Sequence, residues 1–325
     1  MSETRVDFAA KVGEAYERIK ADIRPTPLER SEPFSREFGA EVYVKWECDQ
    51  TTGSFKLRGA LNKLRSLSAA DKRRGVVSAS TGNHGLAISH ASRLEGVELK
   101  LFLPETVAAV KKERIEALGV EVEVKGASCD QAEALARAFA ARTGRVFVSP
   151  YNDWDIVFGA GTLGLEIAAG LSRIDDVLVP VGGGGLIAGI AGAVKALRPA
   201  TRVIGVEPET SAFMAASIAA GRLVDIDERE TIADAVAGGI EPGAITFPLC
   251  RDLVDGIEIV PERLIARGLA RIEAAHGRVV EGAGALPFAA LLRSPARWAG
   301  RTVVGVVSGA NIAPERFRAI VDARP

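Results

Sequence analysis

Lys56 sits in the stretch TTGSFKLRGA (51–60), directly after Phe55. A lysine amine is a base and a nucleophile only when neutral, and burial beside an apolar neighbour pushes it toward that state. An ordinary surface charge is the alternative. A second stretch, VPVGGGGLIAGIAGAVKAL (179–197), runs an apolar strand into Gly182, Gly183, Gly184 and Gly185, then into a helix. Four consecutive glycines lose much backbone entropy on ordering, a cost that is offset where backbone N–H groups must approach a ligand closely. At the C-terminal end of a strand, beside a helix N-terminus, that ligand is an anion, most often phosphate. GGGGL is a poor GxGxxG, and only Glu207 could act as the acidic partner of a dinucleotide site. The loop has no Gly-Lys-Ser/Thr, which excludes a Walker A site.

Two further stretches offer polar groups at strand ends. SASTGNHGLA (78–87) supplies hydroxyls from Ser80 and Thr81, an amide from Asn83 and backbone donors near Gly82. Such a loop suits a carboxylate, and it equally suits an N-capped helix start. His84 lies in it, but His90 and His276 are the only other histidines and neither falls in a ligand pattern. VVGVVSGAN (303–311) places Ser308 where a strand stops, at the sheet edge where α/β folds bind ligands. A plain turn serine is the competing reading.

The elements that must carry these residues alternate. Apolar strands are predicted at 42–46, 76–80, 99–104, 121–124, 146–150, 177–183, 203–207 and 302–309. Helices are predicted at 84–95, 107–119, 130–144, 160–171, 186–197, 211–221, 261–276 and 284–293, with a helical N-terminal segment. This alternation predicts an α/β fold of open, twisted, mostly parallel sheets with helices on both faces. Residues 75–150 hold four strands and three helices. They are expected to form a small α/β domain inserted in a larger one built from 1–74 and 151–325, with YNDW (151–154) as the crossover.

Bulk composition narrows the function classes. The 41 basic and 42 acidic residues give a net charge of -1 without basic blocks, which argues against nucleic-acid or membrane partners. Cys48, Cys129 and Cys250 are far apart and form no CxxC pattern, so a reducing cytoplasm is expected. The N-terminus has no signal-like apolar region, and no long apolar run is free of glycine, proline or charge.

A phosphate cradle, a carboxylate loop, a strand-end hydroxyl and a lysine form one constellation. An amino acid supplies the carboxylate, and the phosphate-bearing cofactor that reacts with lysine and amino acids is pyridoxal 5'-phosphate. The chain resembles the serine/threonine dehydratase family of the tryptophan-synthase-β-like, fold type II pyridoxal-phosphate enzymes. That family also includes serine racemase and threo-3-hydroxyaspartate ammonia-lyase. The resemblance runs from RPTPLERS (24–31) through SFKLRGA, STGNHG, VGGGGL, TIADAVAGGI (231–240) and EGAGA (281–285) to VSGAN (307–311). The order and joint presence of these motifs make it specific.

The resemblance implies roles residue by residue. Lys56 matches the Schiff-base lysine and catalytic base, and Phe55 the residue packed on the cofactor ring. Gly182, Gly183, Gly184, Gly185 and the N–H of Leu186 match the phosphate loop. Asn83 matches the partner of the phenolic oxygen, and Ser308 the partner of the pyridine nitrogen. Ser80, Thr81, Gly82 and His84 match the substrate-carboxylate loop. The implied reaction is elimination of water from a β-hydroxy-L-amino acid to give a 2-oxo acid and ammonia, by a homodimer. Alternatives are a racemase, with Thr81 where serine racemase has its second base, or a β-replacement synthase. Segment 237–255 resembles dehydratase-like enzymes of ectoine and hydroxyectoine breakdown. Some family members bind a divalent metal. Here Glu207 matches one ligand but Phe213 falls at the place of another, so no metal is expected. Arg58 and Gly238-Gly239 are expected to shape the pocket for the substrate side chain. A non-catalytic α/β ligand-binding protein, or a nicotinamide-dependent one, that uses the glycine loops is the alternative from another class.

Overall fold

The computed structural model describes residues 6–107 and 109–323. Ten strands are present among them: β1 (Leu28–Arg30), β2 (Glu41–Trp46), β3 (Val76–Ala79), β4 (Leu99–Leu103), β5 (Glu121–Val124), β6 (Val146–Phe147), β7 (Asp176–Pro180), β8 (Arg202–Pro208), β9 (Gly256–Val260) and β10 (Thr302–Val307). The helices are α1 (Phe8–Ile19), α2 (Glu32–Phe38), α3 (Lys56–Ser66), α4 (Ala69–Arg74), α5 (Asn83–Glu95), α6 (Ala109–Glu116), α7 (Cys129–Thr143), α8 (Trp154–Gly170), α9 (Gly185–Leu197), α10 (Phe213–Ala220), α11 (Thr246–Leu253), α12 (Glu262–His276), α13 (Gly282–Arg293), α14 (Pro295–Trp298) and α15 (Pro314–Asp322).

The strands form two sheets, in the orders β1-β2-β10-β7-β8-β9 and β5-β4-β3-β6. Every pairing is parallel except β1 with β2. Strands β7 and β10 are buried at every position, as strands covered on both faces must be. The expected α/β architecture is therefore present. β1 and β9 lie at sheet edges and carry alternating or polar residues, so the apolar-run criterion passes over them. The segment predicted as strand through 150 is shorter. Its paired residues are Val146 and Phe147, and Pro150 has no N–H with which to extend the ladder.

Helix α3 carries Lys56 as its first residue. Leu57, Ala60, Leu61 and Leu64 recur at helical spacing and are fully buried. They pack with Ile19, Val76, Ile88, Leu99 and Leu101, and so tie α3 to the four-stranded sheet. Each such leucine contributes roughly 1.5–3 kcal/mol. Gly59, inside the helix, faces α8: a Cβ there would stand 3.0 Å from Ile156 O. The lysine is thus mounted on a helix that the core holds firmly. No helix among the described residues is long and apolar enough to cross a membrane.

Candidate active site

Three loops leave the C-terminal ends of parallel strands β3, β7 and β10 and meet around a cavity of about 460 Å³. Phe55, Lys56, Ser80, Thr81, Gly82, Asn83, His84, Gly182, Gly183, Gly184, Gly185, Leu186 and Ser308 all line it. The structure therefore brings these residues together from segments far apart in the chain.

Lys56 is half-buried, and its Nζ donates to Pro150 O at 2.8 Å. Its amine lies 5.1 Å from the centre of the Phe55 ring. Burial lowers its pKa to about 8, against an opposing pull from the Glu281 carboxylate. The loop before it is pinned from the other side: Phe55 N donates to Ser308 O at 3.0 Å, and Ser54 forms a β-bridge with Gly309.

The glycine loop has the form of an anion cradle. Gly184 is left-handed, with φ +87°, at the N-cap of α9. A Cβ on Gly182 would stand 2.8 Å from Val236 O, and one on Gly183 would stand 2.5 Å from the Tyr151 ring. Thr246 Oγ1 donates to Gly183 O at 2.6 Å, which holds that carbonyl on the α11 side. Among the described residues, no acceptor takes the amides of Gly182 through Leu186. A run of unclaimed donors on a floor that admits no side chain fits a phosphate. With the Lys56 amine in the same cavity, the residues present fit pyridoxal phosphate.

The loop before α5 admits two readings from sequence, and its geometry separates them. No side chain caps α5, whose N-cap is Gly82. Ser80 Oγ instead accepts from Gly82 N at 3.3 Å. The first-turn amides of α5 thus remain available at the cavity, as an incoming carboxylate requires. Gly85 permits the fold-back, since a Cβ there would lie 2.3 Å from Ser80 O. His84 is buried, with Nε2 3.0 Å from Ser78 Oγ, and that hydroxyl donates to Val148 O at 2.8 Å. Burial first, and the nearby Lys56 second, push His84 down to about 3. It is neutral at any physiological pH.

Asn83 is held at both ends of its amide. Nδ2 donates to Glu281 Oε1 at 2.7 Å, and Oδ1 accepts from Asn311 Nδ2 at 2.6 Å. Glu281 Oε2 in turn accepts from Asn311 N at 3.1 Å. Ser308 is buried at the end of β10, and its hydroxyl makes no hydrogen bond among the described residues.

Sequence reasoning missed Pro150, Tyr151, Glu281 and Asn311 as cavity residues. EGAGA and VSGAN carried Glu281 and Asn311 as motif letters, but nothing local says that they meet Asn83. Arg58 is a correction. It does not line the cavity but is fully buried behind it, between Glu47 and Glu166. Gly238 and Gly239 do line it. Glu207 accepts from Met214 N at 2.9 Å and Ala215 N at 2.8 Å, so it occupies the start of α10. Burial raises its pKa to about 7, with the Ala215 and Met214 amides opposing.

The chain is 39% identical to the L-threonine dehydratase catabolic TdcB of Escherichia coli, across 92% of this chain and 91% of that protein. The processed form of threonine deaminase isoform 2 from Solanum lycopersicum superposes with a TM-score of 0.91 at 31% identity, covering 97% of this chain and 86% of that one. Maize serine racemase gives 0.90 at 32% identity, with 94% of each chain covered. The family model for pyridoxal-phosphate dependent enzymes matches residues 19–309. The chain belongs to the pyridoxal-phosphate dependent enzyme family.

Proposed function

We propose that the chain is a pyridoxal-phosphate-dependent ammonia-lyase that removes water from a β-hydroxy-L-amino acid of the serine/threonine class. Hydrolysis of the dehydrated enamine then gives a 2-oxo acid and ammonia. One observation carries the reading: a single cavity unites the Lys56 amine, the unclaimed amides of Gly182 to Leu186 and the uncapped start of α5. The similarity to threonine dehydratase and threonine deaminase supports it.

Bound pyridoxal phosphate supplies an electron sink that acidifies the Cα proton of an attached amino acid. Gly182, Gly183, Gly184, Gly185 and Leu186 bind its phosphate through backbone N–H groups. Phe55 would pack on its ring, and Asn83, fixed by Glu281 and Asn311, would present a hydrogen bond to its phenolic oxygen. Lys56 anchors it at rest. The Lys56 amine would also take the substrate's Cα proton, a role its lowered pKa favours. Ser80, Thr81, Gly82 and His84 orient the substrate carboxylate at the start of α5. A neutral His84 contributes hydrogen bonding there rather than charge. Ser308 would offer the cofactor's ring nitrogen a hydroxyl in place of a carboxylate.

Thr81 lines the same cavity, and the similarity to maize serine racemase keeps a second, racemising proton transfer in view. The same reading takes the enzyme as a cytoplasmic homodimer, with residues 75–150 as a small domain inserted between 1–74 and 151–325.

The test is a substrate panel. Purified protein loaded with pyridoxal phosphate is given L-serine, L-threonine, threo- and erythro-3-hydroxyaspartate and phenylserine. Ammonia and 2-oxo acid are followed together, with chiral analysis of the remaining amino acid. Equal release of both products from at least one substrate is expected. Inverted amino acid without oxo acid would replace the lyase by a racemase. No product from any of them, in protein that visibly holds the cofactor, would sink the reading.

A further inference from the structure

Arg58 lies two residues beyond Lys56, in the first turn of α3, and is fully buried. Its Nε donates to Glu47 Oε1 at 2.9 Å. Its Nη1 donates to Glu166 Oε1 at 2.7 Å and to Thr162 Oγ1 at 3.2 Å. The second oxygen of Glu166 accepts from Lys45 Nζ at 2.6 Å, and that of Glu47 accepts from Thr26 Oγ1 at 3.2 Å. Two buried cations and the buried Glu47 carboxylate are thus joined with Glu166, which is 12% exposed. They come from β2, the turn Glu47–Asp49, α3 and α8.

Stability alone does not explain such a cluster. Removing charges from water is costly, and replacing buried ion pairs by packed apolar side chains is often neutral or stabilising. What the cluster provides is geometry. The guanidinium is a rigid fork, and two carboxylates on different elements fix both its depth and its rotation. That constraint acts on the one helical turn that also bears the reactive amine.

We propose that Arg58 is a positioning residue: with Lys45, Glu47 and Glu166 it locks the first turn of α3 and so holds the Lys56 amine in place at the cavity. This inference rests on the ammonia-lyase reading, in which Lys56 is anchor and base. It replaces the role of Arg58 in shaping the substrate pocket. Arg58 touches neither substrate nor cofactor and acts only through the helix.

Two variants of the cofactor-loaded enzyme test it. Arg58→Lys keeps the charge and loses the fork. The combined variant Lys45→Met, Glu47→Leu, Arg58→Met and Glu166→Leu replaces the whole cluster by apolar side chains. The readouts are kcat and KM separately, the visible circular dichroism of the bound cofactor relative to its absorbance, and thermal melting. Arg58→Lys is expected to lower kcat about tenfold or more, as small misplacements of a catalytic group do, with KM changed by less than about threefold. Its cofactor dichroism should weaken at unchanged absorbance. The combined variant should melt at or above the wild-type temperature with the same loss of kcat. Wild-type kcat and dichroism in either variant would overturn the proposal. So would failure of both variants to fold, since the cluster would then be a stability device. Wild-type protein that takes up no cofactor would sink the lyase reading, a result distinct from either of these.

Discussion

The amine of Lys56 donates to the backbone carbonyl of Pro150 at 2.8 Å. The two residues lie 94 positions apart, one at the start of α3 and the other in the segment leading from β6 to α8. A carbonyl accepts from a neutral amine as well as from an ammonium, so this bond orients Lys56 without demanding its charge. Burial then favours the neutral form. The amine is thus oriented with its lone pair free.

Capture of pyridoxal phosphate by cofactor-free protein should therefore accelerate as pH rises through about 8, then level off. Stability should respond in the same range. The folded pKa lies below the unfolded value of 10.5, so the unfolded chain binds the extra proton between the two. Stability of the cofactor-free protein should rise with pH across that window and fall as pH drops back toward 8. Urea unfolding of wild type and Lys56→Met at both ends of the window checks this. Equal slopes in the two proteins would refute it.

Lys56→Ala should abolish the absorbance of lysine-bound cofactor and lower kcat by about a thousandfold or more. The fold should survive, because α3 is anchored by Leu57, Ala60, Leu61 and Leu64 rather than by the lysine. Absorbance spectroscopy and far-ultraviolet circular dichroism on the same sample separate loss of chemistry from loss of fold.

His84 should not titrate in the folded protein across the physiological range, since its pKa is pushed to about 3 against an ordinary 6.5. Below 6.5 the unfolded chain takes up a proton that the folded one refuses, so stability should fall as pH drops from about 6.5 toward 3. Urea unfolding over this range should show a shallower loss in His84→Gln. An imidazole resonance of His84 that moved near pH 6.5 would contradict the assignment.

What could be read from sequence follows from what each signal encodes. The four glycines announced themselves because their entropic cost needs a local reason, and the strand and helix on either side gave the cradle its place. The apolar runs of β7 and β10 marked buried parallel strands, and Ser308 followed from where β10 ends. Helix α3 was not predicted, because Gly59 weakens its helical pattern; the glycine is there for the close approach of Ile156 O. Glu281 and Asn311 reach Asn83 across 198 and 228 positions, and no local periodicity carries that pairing. Arg58 was misplaced for the same reason. A charged residue two positions from Lys56 suggests a pocket wall until its partners, Glu47 and Glu166, are known.

Gly183→Ala tests the phosphate cradle directly. The added Cβ would stand 2.5 Å from the Tyr151 ring, and that ring is tethered: Tyr151 OH accepts from Glu241 N at 2.9 Å. The loop must shift, and its amides lose their common focus. Affinity for pyridoxal phosphate should fall about tenfold or more, which corresponds to about 1.4 kcal/mol or more of binding. Affinity for pyridoxal, which lacks the phosphate but still reaches Lys56, should change far less. Titrating both compounds into cofactor-free wild type and variant makes the comparison. Equal losses would mean that the glycines shape the cavity as a whole, and that the phosphate is held elsewhere.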